Sequence, residues 1–397
     1  MDGRTERPFK QNHNRGGNNV TLKTPAGLGA LICAATLCSL SAARAADYTY
    51  STLLSPDHPQ NVFGGPPWAD GIREATNGEV DFQIFAGGVL LPGGEVLEGL
   101  SQGVADAAFV TAGYIPAQMP LWALIGDMGW IEPDMAIITM AATEFGILDE
   151  YGMRDWQDNN VVFGGDLSTG PYVFHCRGEP KTLADFKGLR IRTAGNGWAR
   201  FAEYIGAVPV NLTFADIYSS LERGALDCAA LDEAQIIEAS RTGEVVDSIV
   251  ALPMGPFFSQ ATWAFNEQFW SGLTAAQREA IFDQNAHIIA KYLVGMGETI
   301  QRNYDGGRDR GVTILEPADD LIAKAAEFVA DDVGGLAAIA ESRGVTDYQA
   351  ALASFTELVE KWRGLLDGVD RTDEAALYDL ARSEIFDKID YETYRVE

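Results

Sequence analysis

The chain has 397 residues, enough for two domains of ordinary size, and 47% of them are hydrophobic, enough to fill a sizeable core. Its 57 Asp/Glu outweigh its 29 Lys/Arg, for a formal net charge of −28. Such a surface repels nucleic acid and anionic lipid, so neither is expected as a partner, and any anion would need a site built from specific donors.

The N-terminus changes the reading of everything after it. Residues 1–23 are polar and basic, with Arg4, Arg7, Lys10, Arg15 and Lys23. An apolar stretch from Ala26 to about Leu40 follows and leads into Ala43-Arg44-Ala45. A basic region, an apolar region and a small-x-small tripeptide make an export signal with cleavage after Ala45. The alternative is an uncleaved anchor, although the apolar run is shorter than the ~20 residues a spanning helix needs. Ile32 and Leu37 precede Cys33 and Cys38, where a lipoprotein site would need a small residue. Removing residues 1–45 leaves 23 basic and 55 acidic residues, a net charge of −32. Cys176 and Cys228 remain, 52 residues apart. An oxidising compartment permits a disulfide between them, but one pair is no framework, and two buried thiols is the simpler expectation.

In chain order, Tyr48–Leu53 reads as a first strand and residues 60–76 as a helix carrying Trp68 and Ile72, ended by Asn77-Gly78. Val80, Phe82 and Ile84 alternate with polar residues, the period of a half-buried strand. A short helix from Gly94 to Gln102 precedes Gly103 and the strand Asp106–Val110. That pattern recurs: Leu100-Ser-Gln-Gly103-Val-Ala-Asp106 matches Leu221-Glu-Arg-Gly224-Ala-Leu-Asp227. Both read helix, glycine at the left-handed exit, aspartate, strand, which predicts two similar α/β lobes. The second lobe is expected to begin near Thr169, with strands at Tyr172–Cys176 and Gly188–Thr193, a helix turn capped by Thr182, and a helix over 197–205. Thr213-x-x-Asp216 opens the helix that ends at Gly224. Thr274-Ala-Ala-Gln277 is a capping box for a helix running to about Asn303, long enough to cross between lobes. Residues 320–397 read as amphipathic helices, with Thr372 as an N-cap.

Signatures of catalysis are missing: there is no Gly-x-Ser-x-Gly, His-Glu-x-x-His, P-loop or Cys-x-x-Cys motif. Gly195-Asn-Gly197 follows a strand but lacks the third glycine of a dinucleotide loop, so no cofactor is expected. The informative strand is Gly188-Leu-Arg-Ile-Arg-Thr193, where Arg190 and Arg192 share one face and Leu189 and Ile191 the other. Arg192 lies at its carboxyl end, where open α/β sheets bind ligands. A guanidinium there grips a carboxylate or sulfonate through two parallel hydrogen bonds, or else forms an ordinary ion pair.

Gly188-Leu-Arg-Ile-Arg192, Gly206-Ala-Val-Pro-Val210 and Asp216-Ile-Tyr-Ser-Ser-Leu-Glu-Arg-Gly-Ala-Leu-Asp227 together resemble the core signature of the TRAP-transporter periplasmic solute-binding proteins. His58-Pro59, Asn77-Gly78-Glu-Val80, Gly103-x-x-Asp106 and Trp263-Ala-Phe-Asn266 extend the likeness over about residues 47–320. The resemblance implies a two-lobe α/β fold of the periplasmic-binding-protein type, with a long bridging helix and extra C-terminal helices. It divides the chain into signal 1–45, lobe I at 46–169 plus 257–305, lobe II at 170–256 plus 306–345, and a helical extension at 346–397. It implies no enzyme, but a receptor that captures a small organic acid and delivers it to integral-membrane permease subunits. A ligand-presenting sensor and an exported hydrolase are the alternatives.

By the same resemblance Arg192 is the carboxylate anchor. Tyr172 falls where some members carry a second arginine, and Leu231 where many carry a ligand-binding asparagine, so that contact is lost or passes to Asp232. Thr111, Asn196, Trp198 and Phe258 complete the expected pocket. One arginine among aromatics fits a small acid with an apolar or amino-bearing body, while a dicarboxylate would want more donors. The C-terminal helices are left with two expected roles, bracing the lobes or supporting a homodimer.

Overall fold

The computed structural model describes residues 48–252 and 254–396. The expected signal segment and its cleavage site lie outside these residues. Eleven strands are described: β1 (Tyr48–Ser51), β2 (Phe82–Phe85), β3 (Ala107–Thr111), β4 (Val161–Gly165), β5 (Tyr172–Cys176), β6 (Arg190–Thr193), β7 (Val208–Asn211), β8 (Cys228–Asp232), β9 (Ser248–Val250), β10 (Gln260–Asn266) and β11 (Thr313–Leu315). They form two sheets, ordered β2-β1-β3-β10-β4 and β11-β9-β5-β8-β6-β7.

The sheets share one plan. In the first, β1 runs parallel to β2 and β3, and β10 runs antiparallel to β3 and β4. In the second, β6 runs parallel to β7 and β8, and β5 runs antiparallel to β8 and β9. The sequence repeat sits at the equivalent place in each. Gly103 and Gly224 both take positive φ, at 74° and 67°, which a side chain would oppose. Asp106 then accepts from the Thr49 backbone N–H on β1 at 2.8 Å, and Asp227 from the Arg190 backbone N–H on β6 at 2.8 Å. Each aspartate thus ties the start of its strand to the parallel neighbour.

The antiparallel strands β5 and β10 are the ones the chain enters after crossing between lobes. The two crossing segments hold each other: Tyr172 N–H donates to Gly255 O at 2.9 Å, Thr169 N–H to Phe257 O at 3.0 Å, and Phe257 N–H to Thr169 Oγ1 at 2.9 Å. The third connection is a 35-residue helix, Ala275–Asp309, whose Thr274/Gln277 capping box is present as the sequence predicts. At 1.5 Å per residue it extends about 50 Å. Its first half packs on the helix Pro66–Ala75, and Asn303 near its end accepts from the Ile237 N–H at 2.8 Å.

Several expectations are corrected. The helix over 60–76 is two helices, Pro59–Gly64 and Pro66–Ala75, because Pro66 and Pro67 cannot continue the preceding hydrogen-bond ladder. Thr182 heads a turn rather than a helix, with Asp185 accepting from the Lys181 and Thr182 N–H groups. The last helix, Glu374–Glu384, is capped by Asp373, which accepts from the Ala376 N–H at 3.1 Å; Thr372 lies one residue outside. Cys176 and Cys228 form a disulfide rather than two buried thiols. They are register partners on antiparallel β5 and β8, so sheet pairing alone brings them together.

The helix Asp319–Asp331 packs by Leu321 and Phe328 in the core of the second-sheet half, and the last two helices pack on the first-sheet half. Tyr348–Leu366 lies along Met135–Leu148, where Trp362 Nε1–H donates to Glu144 at 2.7 Å and Lys361 pairs with the same carboxylate. Glu374–Glu384 lies along the long helix and is pinned by Arg382–Asp283. The disulfide closes a 52-residue span. Replacing both cysteines by alanine is expected to cost about 2–4 kcal/mol, seen as a lower urea midpoint, with a matching drop in the wild type under reductant.

Candidate ligand-binding site

The carboxyl ends of β3, β6 and β8 and the two crossing segments converge between the lobes. Arg192, on β6, is 1% exposed. β6 is paired on both sides, with β8 and β7, so its backbone is fixed and the side chain is delivered at a set height. Arg192 Nε donates to Leu212 O at 3.1 Å and Nη1 to Ala230 O at 3.1 Å. Both acceptors are neutral carbonyls. Among the described residues no carboxylate lies within ion-pair distance of this guanidinium, whereas Arg190, two residues earlier on the same face, is spent on Asp227 at 2.7 Å.

Around Arg192 lies a narrow space of about 30 Å³ whose walls include Thr111, Tyr172, Asp232, His58, Tyr114, Phe214 and Phe257. Tyr172 and Asp232 are direct cross-strand partners on β5 and β8. The Tyr172 ring is held between Trp198, at 4.7 Å, and Phe257, at 6.4 Å, both nearly parallel to it. Burial raises the Tyr172 pKa and the Arg192 charge opposes the rise, so the hydroxyl stays protonated. Asp232 caps the turn 233–235, accepting from the Ala234 N–H at 3.1 Å. Burial pushes its carboxyl up to about 7 against those donors. His58 is buried and pushed down to about 4, its Nδ1 accepting from the Gln60 N–H, so it stands as a neutral ring edge-on to Phe214.

A second space of about 340 Å³ adjoins the first through the shared walls Tyr114 and Phe257. Asn196, Asn211, Thr213, Ser259, Asp127 and Arg343 supply its polar lining. Asn196 opens the helix Asn196–Tyr204 after Gly195, whose φ of 90° is a glycine conformation.

Of the seven residues read from the sequence, Thr111, Tyr172, Arg192 and Asp232 meet around the narrow space and Asn196 borders the wider one. Trp198 backs Tyr172 rather than facing the cavity. Phe258 is turned away: it stacks on Phe355 in the core at 5.2 Å, and its neighbour Phe257 faces the cavity instead. Leu231 also points elsewhere, into the core cluster with Val173 and Ile249. Sequence reasoning missed His58 as a wall residue, and Asp127 and Arg343 altogether. His58 caps the first helix in the loop after the first strand, and the His58-Pro59 pair was the available signal; Arg343 is brought in from a remote helix and had none. Among the described residues no group of three His, Cys, Asp or Glu could hold a metal ion.

Two α/β lobes joined by paired crossing segments, with a cavity between them, are the architecture of a solute-binding protein of the periplasmic type. Residues 50–332 match the model of bacterial extracellular solute-binding protein family 7, and the chain belongs to that family. A curated relative from Nostoc sp. (strain PCC 7120), a monocarboxylate 2-oxoacid-binding periplasmic protein, is 24% identical over 320 residues, covering 76% of this chain and 79% of that relative. Among solved structures, a TRAP periplasmic solute-binding protein from Desulfovibrio salexigens with bound orotic acid superposes with a TM-score of 0.69 at 20% identity, covering 79% of this chain and 99% of that one. A marine metagenome TRAP protein specific for aromatic acids, in complex with metahydroxyphenylacetate, gives 0.70 at 16% identity, covering 79% and 98%. At these identities the structures establish the shared fold.

The raised Asp232 has a measurable consequence. A carboxyl whose folded-state pKa lies above its unfolded value contributes stability below about pH 4 that is lost as pH rises through about 7. Buried His58 works in the opposite sense over part of that window, so the test is a difference. Asp232→Asn, which can still cap the turn, is expected to gain stability relative to wild type between pH 4.5 and pH 7.5, by about a few kcal/mol at the upper end. Urea midpoints of both proteins across that range measure it, and parallel curves would refute it.

Proposed function

We propose that this protein is the periplasmic receptor of a TRAP-type transporter and that it captures a small organic acid by clamping its carboxylate on Arg192. The observation that carries this reading is a buried guanidinium on a cavity wall whose protein partners are neutral carbonyls. A buried cation without a counter-charge is costly, and an entering carboxylate supplies one in a low-dielectric site, through charge-assisted bonds about twice as strong as neutral ones. Tyr172 and Phe257 offer flat apolar faces for the acid's body. The names of the relatives point the same way, since those proteins bind a 2-oxoacid, orotic acid and an aromatic acid.

Closing the lobes would complete the site, because its walls come from both: Thr111 and His58 from the first-sheet half, Arg192 and Asp232 from the second. A ligand that bridges both halves favours the closed form by the contacts it makes only there. The closed receptor would then dock on a membrane permease and release its cargo. The basic and apolar segment ending at Ala45 supports export before this cycle begins.

A thermal-shift screen against monocarboxylates, hydroxy acids, 2-oxoacids and sulfonates tests the reading. The wild type is expected to be stabilised by at least one acid and by none of the corresponding alcohols or amides. Arg192→Ala should weaken that acid by about a hundredfold or more, the range seen when one partner of a buried charge pair is removed. Undiminished binding in Arg192→Ala would remove the clamp from the proposal.

A further inference from the structure

We propose that Asp232 is the second half of the ligand clamp, and that the cargo is an amino acid, held by its carboxylate on Arg192 and by its ammonium group on Asp232. This rests on the acid-receptor reading and names the substrate class of the same site. Asp232 and Arg192 both border the narrow space between the lobes. The Tyr172 hydroxyl stands in the field of both: besides burial, which dominates, Arg192 lowers its pKa and Asp232 raises it. Yet the two charged groups do not pair with each other. Arg192 donates to the Leu212 and Ala230 carbonyls, and Asp232 accepts from the Ala234 N–H and, at 3.4 Å, from the Gln235 amide. A cation and an acid thus stand on the walls of one cavity, each with neutral protein partners, across a gap.

Asp232 offers more than its structural task needs. Capping the turn 233–235 takes one oxygen, and both donors reach Oδ1. Oδ2 has no protein partner among the described residues, and it is not sealed in the core as both oxygens of Asp166 are. A plain monocarboxylate on Arg192 would set its charge beside Asp232, and a diacid would bring two charges. An amino acid brings one of each sign and leaves the cavity neutral. Phe109, Tyr114, Phe214 and Phe257 supply aromatic rings to the same wall, and ring faces attract an ammonium group. The amino acid's side chain would extend past Tyr114 and Phe257 into the wider space of about 340 Å³. The whole chain agrees with that choice. After residue 45 its 55 acidic residues against 23 basic ones repel an approaching anion, and a zwitterion has no net charge to repel.

The sign of the pH dependence follows. Burial holds the Asp232 carboxyl at about 7. An ammonium group needs it ionised, so below about 7 each amino acid bound displaces a proton and affinity rises with pH. A plain acid is best met by the protonated carboxyl, so its affinity falls as pH rises through about 7. The groups facing Asp232 are Arg192 on β6, Tyr172 and His175 on β5, Tyr292 and Tyr304 on the long helix, His58 beyond Gln235, and the adjacent Glu233. Burial keeps His58 and His175 neutral, at about 4 and about 3, and keeps Tyr172 and Tyr292 protonated. Burial also raises Glu233, which accepts from the Tyr304 hydroxyl; Asp232→Asn leaves that group in place and so separates its contribution.

Matched acids separate this inference from the one it rests on. The probes are alanine against propanoate, lactate and pyruvate, phenylalanine against phenylpropanoate, phenyllactate and phenylpyruvate, and the other common amino acids against their amine-free counterparts. Each is titrated by calorimetry from about pH 5.5 to about pH 8.5 into wild type, Arg192→Ala and Asp232→Asn. Wild type is expected to bind at least one amino acid about ten- to hundredfold tighter than its amine-free counterparts near neutral pH, the worth of one hydrogen bond to a charged group, with affinity rising up to about pH 7. Asp232→Asn, which can still cap the turn, should lose both the preference and the rise, and should bind the plain acids more tightly than wild type does at the alkaline end. The opposite pH trends of amino acid and plain acid in wild type carry the test even if the variant folds poorly. Amine-free acids preferred by wild type, a preference that survives in Asp232→Asn, or amino-acid affinity that falls with rising pH would each overturn the role of Asp232 while leaving the receptor reading intact. No binding of any acid by wild type, or acids bound equally well by Arg192→Ala, would bring down the receptor reading itself and this inference with it.

Discussion

A guanidinium held out of water must have its donors met, and the second lobe is organised around doing so for Arg192. β6 carries it, β8 supplies Ala230 O on one side, and the segment after β7 supplies Leu212 O on the other. These carbonyls satisfy hydrogen-bonding geometry without cancelling the charge. The cation therefore remains available, while its position is as fixed as the central strands of the sheet. Arg190 shows the contrast: it shares the strand and the face, yet Asp227 neutralises it, so it serves the strand junction and not the cavity.

The same economy appears in the way the two halves are joined. A cleft that closes needs walls that are rigid and connections that bend together. The crossing segments satisfy this by bonding to each other through Thr169, Tyr172, Gly255 and Phe257, so they bend as one unit. Tyr172 and Phe257 belong to this unit and also line the cavity, so under the proposed function hinge and ligand wall would share the same few residues. The last two helices, Tyr348–Leu366 and Glu374–Glu384, load the first half through Glu144, Asp283 and buried Trp362 and so stiffen that wall, while Phe328 of the helix Asp319–Asp331 packs in the core of the second.

Much of the fold was legible because it rests on local signals. Glycine at a left-handed exit followed by aspartate marked both repeated units, and the Thr274/Gln277 box marked the long helix. Alternation put Arg192 on a defined face at a strand's carboxyl end but left an ordinary ion pair open, and it was the family resemblance that made it the expected anchor. What escaped depended on register or on distance in sequence. Phe257 and Phe258 are adjacent and equally aromatic, and only the path of the crossing segment decides which one faces the cavity. The disulfide needed the pairing of β5 with β8, which no spacing reveals. Arg343 reaches Asp127 across 216 positions, and nothing near it in the chain announces that contact.

The Cys176–Cys228 link joins the two strands that carry Tyr172 and Asp232, at the opposite ends of those strands from the cavity. Such a bond forms only where thiols are oxidised. Before export the chain would lack it, and its second lobe would be held by packing and hydrogen bonds alone. The full stability of the second sheet is therefore conditional on compartment: under the proposed export, a looser chain on the side where it would still have to be threaded through a membrane, and a locked one on the other.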